Sequence, residues 1–362
     1  MPELYAVIMA GGVGARFWPT SRERMPKQLL KIIGKESLLQ STFDRIGSLV
    51  PPERTFVVTN ESQLESVLAQ LPQIPRANFL VEPVGRNTAP CIGLAALHVK
   101  RLNPAGVMVV LPADHRIEDE PLFHRAIETA ARVADESAAL VTIGIHPTRP
   151  ETGYGYIQIL DEGEVGNRPV GKDIYRVKTF AEKPNLATAQ KFLESGDFLW
   201  NSGMFVWRAD VILEQINRHL PDLAQGLATV EPSIGTHGYE ETVDTVYGLI
   251  RSVSIDYGVM EKADRVFVIK AAFNWNDIGS WDEVYRLLPK DEDGNAVDGL
   301  VIAKGTSRSL IHSSGRLVAT VGVSDVIVIE TPDAVLVCKR MHSQDVKEVV
   351  DTIRRKQLSD YL

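Results

Sequence analysis

Cysteine, excess positive charge and long apolar runs are what this sequence has least of. Its 362 residues include two cysteines, Cys91 and Cys338, which lie too far apart for a C-x-x-C metal site. We therefore expect reduced thiols rather than a disulfide framework or a zinc site. No apolar run approaches the roughly 18 residues of a transmembrane helix. The first run, Leu4 to Ala10, follows no basic segment of the kind that opens a secretory signal. These absences predict a cytoplasmic protein with no membrane association.

The charge balance excludes a general nucleic-acid binder. With 39 basic and 47 acidic residues, the formal net charge is −8 at pH 7, whereas proteins that bind nucleic acids usually carry a basic surface. A small phosphorylated ligand is still compatible, because a local basic cluster is enough to bind it. Hydrophobic residues make up 44% of the chain, and its length predicts roughly two domains.

Alternating strand-like and helix-like segments predict a doubly wound α/β fold for the first part of the chain. Apolar runs such as Leu4 to Met9, Thr55 to Thr59 and Val107 to Leu111 alternate with helical patterns such as Asn87 to Leu102. Buried strands joined by helices imply a mostly parallel, Rossmann-like sheet with helices on both faces. After Gly153, further strand candidates alternate with shorter helices.

A polar segment rich in turn formers, Lys290 to Gly299, marks the expected domain boundary. We therefore assign residues 1–289 to a larger first domain and residues 290–362 to a C-terminal domain. Short strand candidates follow the boundary at close intervals, and Ser343 to Arg355 has helical character. This pattern predicts a small β-rich domain with stacked rungs, like those of a left-handed β-helix, that ends in a helix.

A glycine-rich segment, Ala10 to Lys27, follows the first strand and reads A-G-G-V-G-A-R-F-W-P-T-S-R-E-R-M-P-K. Its glycines allow a tight turn that brings backbone N–H groups close to an anion, although a turn without a ligand has the same pattern. A dinucleotide fingerprint is disfavoured, because Phe17 stands where its third glycine belongs. Between Val13 and Lys35 lie six basic residues and one acidic residue, a balance that fits a polyphosphate.

The same segment resembles the signature of the sugar-nucleotide pyrophosphorylases. Its form G-G-x-G-x-R-x-W-P-x-S-R-x-x-x-P-K-Q is similar to that of the mannose-1-phosphate guanylyltransferases. The resemblance implies a nucleotidyltransferase domain over residues 1–289, with GTP and α-mannose 1-phosphate as substrates. It also implies catalytic roles for Arg16 and Lys27, which would hold the phosphates and stabilise the departing pyrophosphate. It places the nucleotide on the glycine loop, at Ala10, Gly11, Gly12 and Gly14.

A second block, Glu82 to Pro90, reads E-P-V-G-R-N-T-A-P. From its pattern alone it is equally typical of a turn, with Asn87 or Thr88 capping the next helix. The resemblance assigns the block to base recognition, and the donor edge of guanine suits carboxylate and amide groups. The residues expected to bind the nucleotide here are Glu82, Gly85, Arg86 and Asn87.

Two aspartates are the expected metal ligands. The run V-M-V-V-L-P-A-D-H places Asp114 just past a buried strand, where ligands bind in open α/β sheets, although aspartate is also a common turn former. The resemblance makes Asp114 and Asp277, within N-W-N-D-I-G-S-W, catalytic residues that bind Mg²⁺ or another divalent cation. His115 is expected to have an orienting or structural role, because magnesium prefers oxygen ligands.

Three further blocks, E-T-G-Y-G-Y, F-A-E-K-P and W-N-S-G-M-F, are similar to the sugar-phosphate site of the family. The resemblance implies that Glu182 binds sugar hydroxyls and that Lys183 binds the phosphate of the sugar. Gly153 and Asn201 would complete the pocket. Adjacent strand residues point to opposite faces, so we do not expect Glu182 and Lys183 to pair with each other.

Two alternative functions stay open at this point. One is another sugar-1-phosphate nucleotidyltransferase, such as a thymidylyl- or uridylyltransferase with a glucose-type sugar, and the other is a non-catalytic nucleotide sensor. The R-N-T-A-P and W-N-S-G-M-F blocks favour the guanylyl-mannose branch. We expect a homodimer. Some family members carry an added phosphomannose isomerase domain, but this chain ends at Leu362, so we expect a single activity.

Overall fold

The computed structural model describes residues 2–12, 14–162, 164–165, 168–169 and 173–362. The strands within these residues are β1 (Leu4–Met9), β2 (Thr55–Asn60), β3 (Phe79–Glu82), β4 (Val107–Pro112), β5 (Arg116–Ile117), β6 (Leu140–Ile145), β7 (Gly155–Glu162), β8 (Glu164–Val165), β9 (Arg168–Pro169), β10 (Ile174–Glu182), β11 (Phe198–Arg208), β12 (Val266–Lys270), β13 (Trp275–Asn276), β14 (Ala296–Asp298), β15 (Val301–Lys304), β16 (Leu310–Ser313), β17 (Val318–Val321), β18 (Val326–Glu330) and β19 (Val335–Lys339). The α-helices are α1 (Leu38–Gly47), α2 (Leu64–Gln70), α3 (Thr88–Leu102), α4 (Glu120–Ser137), α5 (Leu186–Ser195), α6 (Ala209–His219), α7 (Pro221–Val230), α8 (Tyr239–Leu249), α9 (Trp281–Leu287) and α10 (Val346–Arg355). In this described part of the chain, no helix is long and apolar enough to cross a membrane.

A nine-stranded sheet forms the centre of the molecule, in the order β3-β2-β1-β4-β11-β6-β12-β10-β7. Parallel pairs join β3, β2, β1 and β4, and another parallel pair joins β6 and β12. Strand β11 is antiparallel to β4, β6 and β7, and β10 is antiparallel to β12 and β7. All strands except β10 and β11 therefore run in one direction, which confirms the predicted α/β class.

Helices cover both faces of this sheet because its strands are apolar on both sides. Successive residues of β1 enter opposite cores: Tyr5 and Val7 pack with residues of α3, α6 and α8, whereas Leu4 and Ala6 pack with residues of α4. A parallel strand that is buried on both faces needs this arrangement, since each crossover connection places a helix over the sheet. The carboxyl ends of β1, β3 and β4 consequently meet at one edge.

The long strand β11 exchanges one pairing partner for another along its length. Phe198 to Trp200 pair with β7, whereas Phe205 to Arg208 pair with β4. The pairing with β6 shifts register between Asn201 and Phe205, and Gly203 adopts a positive φ of 71° there. This irregularity directs Asn201 and its neighbours toward the edge formed by the parallel strands.

The C-terminal strands stack in parallel rungs. Ala296 pairs with Leu310, and Leu310 pairs with Ile327, so β14, β16 and β18 lie one above another, while β15 pairs in parallel with β17. Strand β19 closes this stack in the antiparallel direction. The predicted small β-rich unit of stacked rungs followed by a helix is thereby confirmed.

The C-terminal strands share one hydrophobic core with the glycine-rich segment. Phe17 and Trp18 belong to the same buried cluster as Trp281, Ile327 and Val350. The rings of Phe17 and Trp281 lie 5.1 Å apart, centroid to centroid, and the Trp281 indole N–H donates to the carbonyl of Trp18. The segment that follows β1 is therefore fixed from one side by the sheet and from the other by the C-terminal residues.

Candidate active site

A cavity of about 430 Å³ opens at the carboxyl ends of the parallel strands. Ligands bind at this edge in open α/β sheets because strand ends and helix starts present polar groups there. The predicted site residues that line this main cavity are Gly11, Gly12, Glu82, Gly85, Asn87, Asp114, Gly153, Glu182, Asn201 and Asp277.

A second cavity, of about 340 Å³, adjoins the main cavity. It is lined by Gly14, Ala15, Arg16, Phe17, Lys27, Asp114, Asp277, Gly279 and Lys347. Asp114 and Asp277 line both cavities, so these two carboxylates stand at their junction. The structure thus brings the two predicted metal ligands together, although they are far apart in the sequence.

Lys27 connects the glycine loop to both aspartates. Its side chain is 8% exposed, and its Nζ lies 2.7 Å from Oδ2 of Asp114. The same Nζ donates to the backbone carbonyls of Asp277, at 2.6 Å, and Ile278, at 3.0 Å. A buried ammonium group needs such partners, since desolvation without them is costly. Burial alone would raise the pKa of the Asp114 carboxyl, but the adjacent Lys27 ammonium reverses this and holds it below its ordinary value.

At Gly14 the glycine loop passes too close to Lys27 for a side chain to fit. Gly14 has a φ of 59°, and a Cβ built there would lie 2.7 Å from the backbone nitrogen of Lys27. The side-chain amide of Gln28 donates to the carbonyls of Ala10 and Gly12, which holds the loop from below. Ala10 is buried, its carbonyl accepts the hydrogen bond from Gln28, and it does not line the main cavity. The loop is therefore preformed.

Glu82 is a buried carboxylate at the end of β3. Its exposed fraction is 5%, and burial raises its pKa from 4.5 to about 7. Within the described residues its Oε1 makes no hydrogen bond of good geometry, although the Tyr247 hydroxyl lies near enough to this carboxyl to lower its pKa. The other oxygen faces Gly11, where a Cβ would lie 3.4 Å away. A carboxylate held in this way, at the wall of a cavity, is available to accept hydrogen bonds from a ligand.

The remainder of the block after Glu82 is divided between the cavity and the protein interior. Asn87 caps α3 by accepting a hydrogen bond from the backbone N–H of Thr88, as its pattern predicts, and still lines the main cavity. The resemblance assigns Arg86 to the nucleotide; in the structure its guanidinium donates to the carbonyls of Tyr247 and Gly248, and it is not part of the lining of either cavity. The last carbonyls of a helix lack partners within the helix, and Arg86 satisfies those of α8.

Elsewhere in the lining of the main cavity, Asn201 and Glu182 lie near a further carboxylate, Asp256. The Asn201 amide donates to Oδ1 of Asp256 at 2.7 Å. Burial raises the pKa of Asp256 to about 6, and the nearby Glu182 adds to this effect. Glu182 reaches over Gly155, so a Cβ at that position would require the Glu182 carboxylate to move. The three side chains form a polar wall suited to hydroxyl groups.

The expectation that Glu182 and Lys183 would not pair is wrong. Lys183 Nζ lies 2.6 Å from Oε1 of Glu182. The alternation of side chains fails here because β10 ends at Glu182 and Lys183 has a φ of 47°, outside the extended region. The Lys183 side chain is 61% exposed and lies outside the lining of the main cavity, beside its mouth.

Sequence reasoning missed two site residues. Asp256 stands in the block S-I-D-Y-G-V-M-E-K, and its carboxylate faces the cavity because Ile255 is tied to α3 through the hydroxyl of Thr88, at 2.8 Å. Tyr154 stands in E-T-G-Y-G-Y, and its hydroxyl donates to Oδ1 of Asp277 at 2.5 Å. The signal that could have found Tyr154 is its place between two glycines, whereas Asp256 stands in a block with no comparable pattern.

His115 and the basic flank have different roles. Burial lowers the pKa of His115 to about 4, and its Nδ1 accepts a hydrogen bond from the Trp275 indole at 3.2 Å, as an orienting residue would. In the basic stretch, Arg16 and Lys27 line the second cavity. Arg22 does not, and it pairs at 2.8 Å with Asp333, in the turn between β18 and β19.

Comparisons with known proteins match this architecture. The family model for nucleotidyl transferases matches residues 5–294, and the model for a MannoseP isomerase/GMP-like beta-helix domain matches residues 299–353. A mannose-1-phosphate guanylyltransferase of Klebsiella pneumoniae is 41% identical over 361 residues, which cover 99% of this chain and 75% of that protein. The xanthan biosynthesis protein XanB of Xanthomonas campestris is 41% identical over 358 residues, covering 98% and 74%.

A solved structure from Thermus thermophilus, described as a mannose-1-phosphate geranyltransferase, has the same fold. It superimposes with a TM-score of 0.86 at 35% identity. The match covers 97% of this chain and 99% of that one. The similarity therefore includes the C-terminal strands as well as the main sheet.

The raised pKa of Glu82 predicts a specific pH dependence of stability. Between pH 4.5 and about 7 the unfolded chain ionises this carboxyl while the folded chain keeps it protonated, so its contribution to stability falls as the pH rises. In Glu82→Gln this loss is absent. The free energy of unfolding of Glu82→Gln minus that of wild type should therefore increase by about 2–3 kcal/mol from pH 5 to pH 8, as measured by urea denaturation.

Glu65→Gln, on the exposed side of α2, is the matched control, and its difference from wild type should stay constant with pH. If the difference in free energy of unfolding between Glu82→Gln and wild type is the same at pH 5 and pH 8, the raised pKa of Glu82 is contradicted.

Proposed function

The chain belongs to the nucleotidyl transferase family, as its glycine-rich segment predicts, and on that basis we propose that it transfers GMP from GTP to α-mannose 1-phosphate, releasing pyrophosphate and forming GDP-mannose. The observation that carries this proposal is the junction of the two cavities. One cavity is lined by Glu82, Asn87, Glu182, Asn201 and Asp256, the other includes the cationic side chains of Arg16, Lys27 and Lys347, and Asp114 and Asp277 line both. Two polyanionic substrates could approach each other at that point.

Glu82, Gly85 and Asn87 are proposed to bind the guanine base. A buried carboxylate oxygen without a partner among the described residues is suited to the N1 and N2 donors of guanine. Uracil and thymine offer only one N–H on the corresponding edge, so they would leave part of this carboxylate unsatisfied. The loop from Gly11 to Gly14 would then carry the triphosphate toward Arg16 and Lys27.

The sugar is proposed to bind against a different part of the lining of the main cavity. Glu182, Asn201 and Asp256 offer acceptors and a donor for its hydroxyl groups, and the backbone at Gly153 closes the pocket. Lys183 is proposed to contact the phosphate of the sugar, and its pairing with Glu182, which lines the cavity, supports this. This arrangement would direct the phosphate toward Asp114 and Asp277.

The donor set at the junction fits a divalent cation. Asp114 and Asp277 are carboxylates that line the same two cavities, and oxygen ligands of this kind suit Mg²⁺, which usually binds one or two carboxylates together with substrate phosphates. The hydrogen bond from Tyr154 to Asp277 fixes the orientation of one carboxylate. When bound, the cation would neutralise phosphate charge at the reacting centre.

The proposed reaction is an in-line displacement. A phosphate oxygen of mannose 1-phosphate attacks the α-phosphorus of GTP and forms a P–O bond, while the bond to the bridging oxygen breaks and pyrophosphate leaves with that electron pair. The nucleophile is already an anion, so the chain need not supply a general base. Repulsion between two unit charges about 4 Å apart is near 4 kcal/mol at an effective dielectric constant of 20. Arg16 and Lys27 would offset this repulsion and the charge on the leaving group.

The substrate preference of the wild-type enzyme tests the proposal. Turnover should be highest with GTP and mannose 1-phosphate, and replacing GTP by UTP or dTTP should lower kcat/KM by at least about 100-fold. The assay follows pyrophosphate release with each nucleotide, using mannose 1-phosphate and glucose 1-phosphate in turn. A preference for dTTP or UTP would support a thymidylyl- or uridylyltransferase instead, and no release with any pair would support a nucleotide sensor.

The two aspartates should be indispensable for turnover. Asp114→Asn and Asp277→Asn each remove a charge that would hold the cation, so kcat should fall by at least about 100-fold. The measurement is pyrophosphate release at saturating substrates, with circular dichroism to confirm the fold. Asp222→Asn, at an exposed position of α7, is the control and should retain activity. Near-normal turnover in either variant would refute the role of that aspartate.

Lys183 should affect the sugar phosphate alone. Lys183→Ala removes one charge-assisted contact, so KM for mannose 1-phosphate should rise about tenfold while KM for GTP changes little. Lys191→Ala, an exposed lysine on the neighbouring helix α5, should leave both constants unchanged. An unaltered KM for the sugar phosphate in Lys183→Ala would count against this assignment.

A further inference from the structure

One residue of the second cavity comes from the far end of the chain. Lys347 lies in the first turn of α10 and lines this cavity together with Arg16, Lys27, Asp114 and Asp277. Its neighbour Val346 is buried, so the start of α10 is anchored while Lys347 remains exposed at the cavity. The C-terminal residues therefore contribute a charged side chain to the candidate active site.

Several contacts hold α10 against the glycine-rich segment. Its apolar face, formed by Val346, Val350 and Ile353, packs in the same cluster as Phe17 and Trp18. Polar contacts between the glycine-rich segment and the C-terminal residues reinforce this packing. Arg354 pairs with Glu23 at 3.1 Å, Arg22 with Asp333 at 2.8 Å, and the Trp18 indole donates to the carbonyl of Tyr361 at 2.9 Å. The position of Lys347 relative to the loop is thus fixed by the fold.

The charges of the second cavity are unequally engaged. Lys27 is bound to Asp114 and to two backbone carbonyls. Among the residues that the structure describes, neither Arg16 nor Lys347 forms an ion pair or a hydrogen bond through its side chain. Two cations that form no ion pair within the described residues, at the wall of one cavity, are suited to an anion with several charges.

The position of the second cavity indicates which part of a nucleotide it would receive. The main cavity provides the walls proposed for the base and for the sugar, and both cavities meet at Asp114 and Asp277. If the α-phosphate lies at this junction, the groups that extend beyond it enter the second cavity. In an in-line displacement the leaving group departs on the side opposite the nucleophile.

We propose that Lys347 binds the β- and γ-phosphates of the nucleotide and the pyrophosphate product, so that the C-terminal helix completes the leaving-group site. This inference rests on the proposed function and adds a residue to it. Lysine suits the role because its ammonium group is a mobile point charge, which can follow pyrophosphate as it separates from the α-phosphorus. Arg16 faces the same anion from the glycine loop.

The reverse reaction isolates pyrophosphate as a substrate and therefore tests Lys347 directly. The assay measures the release of GTP from GDP-mannose and pyrophosphate by wild type, Lys347→Ala and Lys347→Arg. In Lys347→Ala, KM for pyrophosphate should rise about tenfold, because one charge-assisted contact is lost, while KM for GDP-mannose stays within about twofold of wild type. Lys347→Arg should restore most of the affinity.

Lys356→Ala is the matched control, since Lys356 is an exposed lysine directly after the same helix and lies outside both cavities. It should behave as wild type. A thermal melt of each variant distinguishes a lost contact from a displaced helix: an equal rise of both KM values with a lowered Tm would overturn the assignment, as would an unchanged KM for pyrophosphate. An inactive wild-type enzyme would refute the proposed function itself, whereas an active wild type with an unaffected Lys347→Ala would refute this inference alone.

Discussion

The rest of the site depends on the contacts of the buried ammonium group of Lys27. It joins the loop after β1 to Asp114 after β4 and to the backbone at Asp277 and Ile278. The Lys27 side chain is 8% exposed and the Asp114 side chain 37%, so the loss of Asp114 would leave a buried ammonium group with only its two carbonyl partners. The loop passes directly beside Lys27, and at Gly14 the two segments are so close that a side chain has no room.

The two halves of the molecule add different walls to this centre. The parallel strands bring the glycine loop, Glu82 and Asp114 to one edge, and the antiparallel strand β11 interrupts them so that Asn201 faces the same space. On the other side, the C-terminal strands and α10 pack on Phe17 and Trp18. The C-terminal residues are thus part of the environment of the site, because they contact the loop that Lys27 anchors.

The sequence predicted what depends on pattern and local motif, and it was less successful where tertiary contacts decide. The class of the fold followed from the alternation of apolar strands and helices, and the glycine-rich segment indicated the family. Arg86 could not be placed, because its partners are carbonyls at the end of a helix distant in sequence. The alternation of side chains along a strand does not apply to Lys183, because its φ is positive. Lys347 carries no motif, and its position depends on how α10 packs against the loop.

The central claim is that Asp114 and Asp277 hold one divalent cation at the junction of two substrate cavities. The most direct measurement is anomalous diffraction from crystals grown with GTP and Mn²⁺, which replaces Mg²⁺ and can be located by its scattering. The account predicts an anomalous peak in contact with carboxylate oxygens of both aspartates, with the triphosphate beside Arg16 and Lys27. A peak coordinated by the triphosphate but by neither aspartate would contradict it.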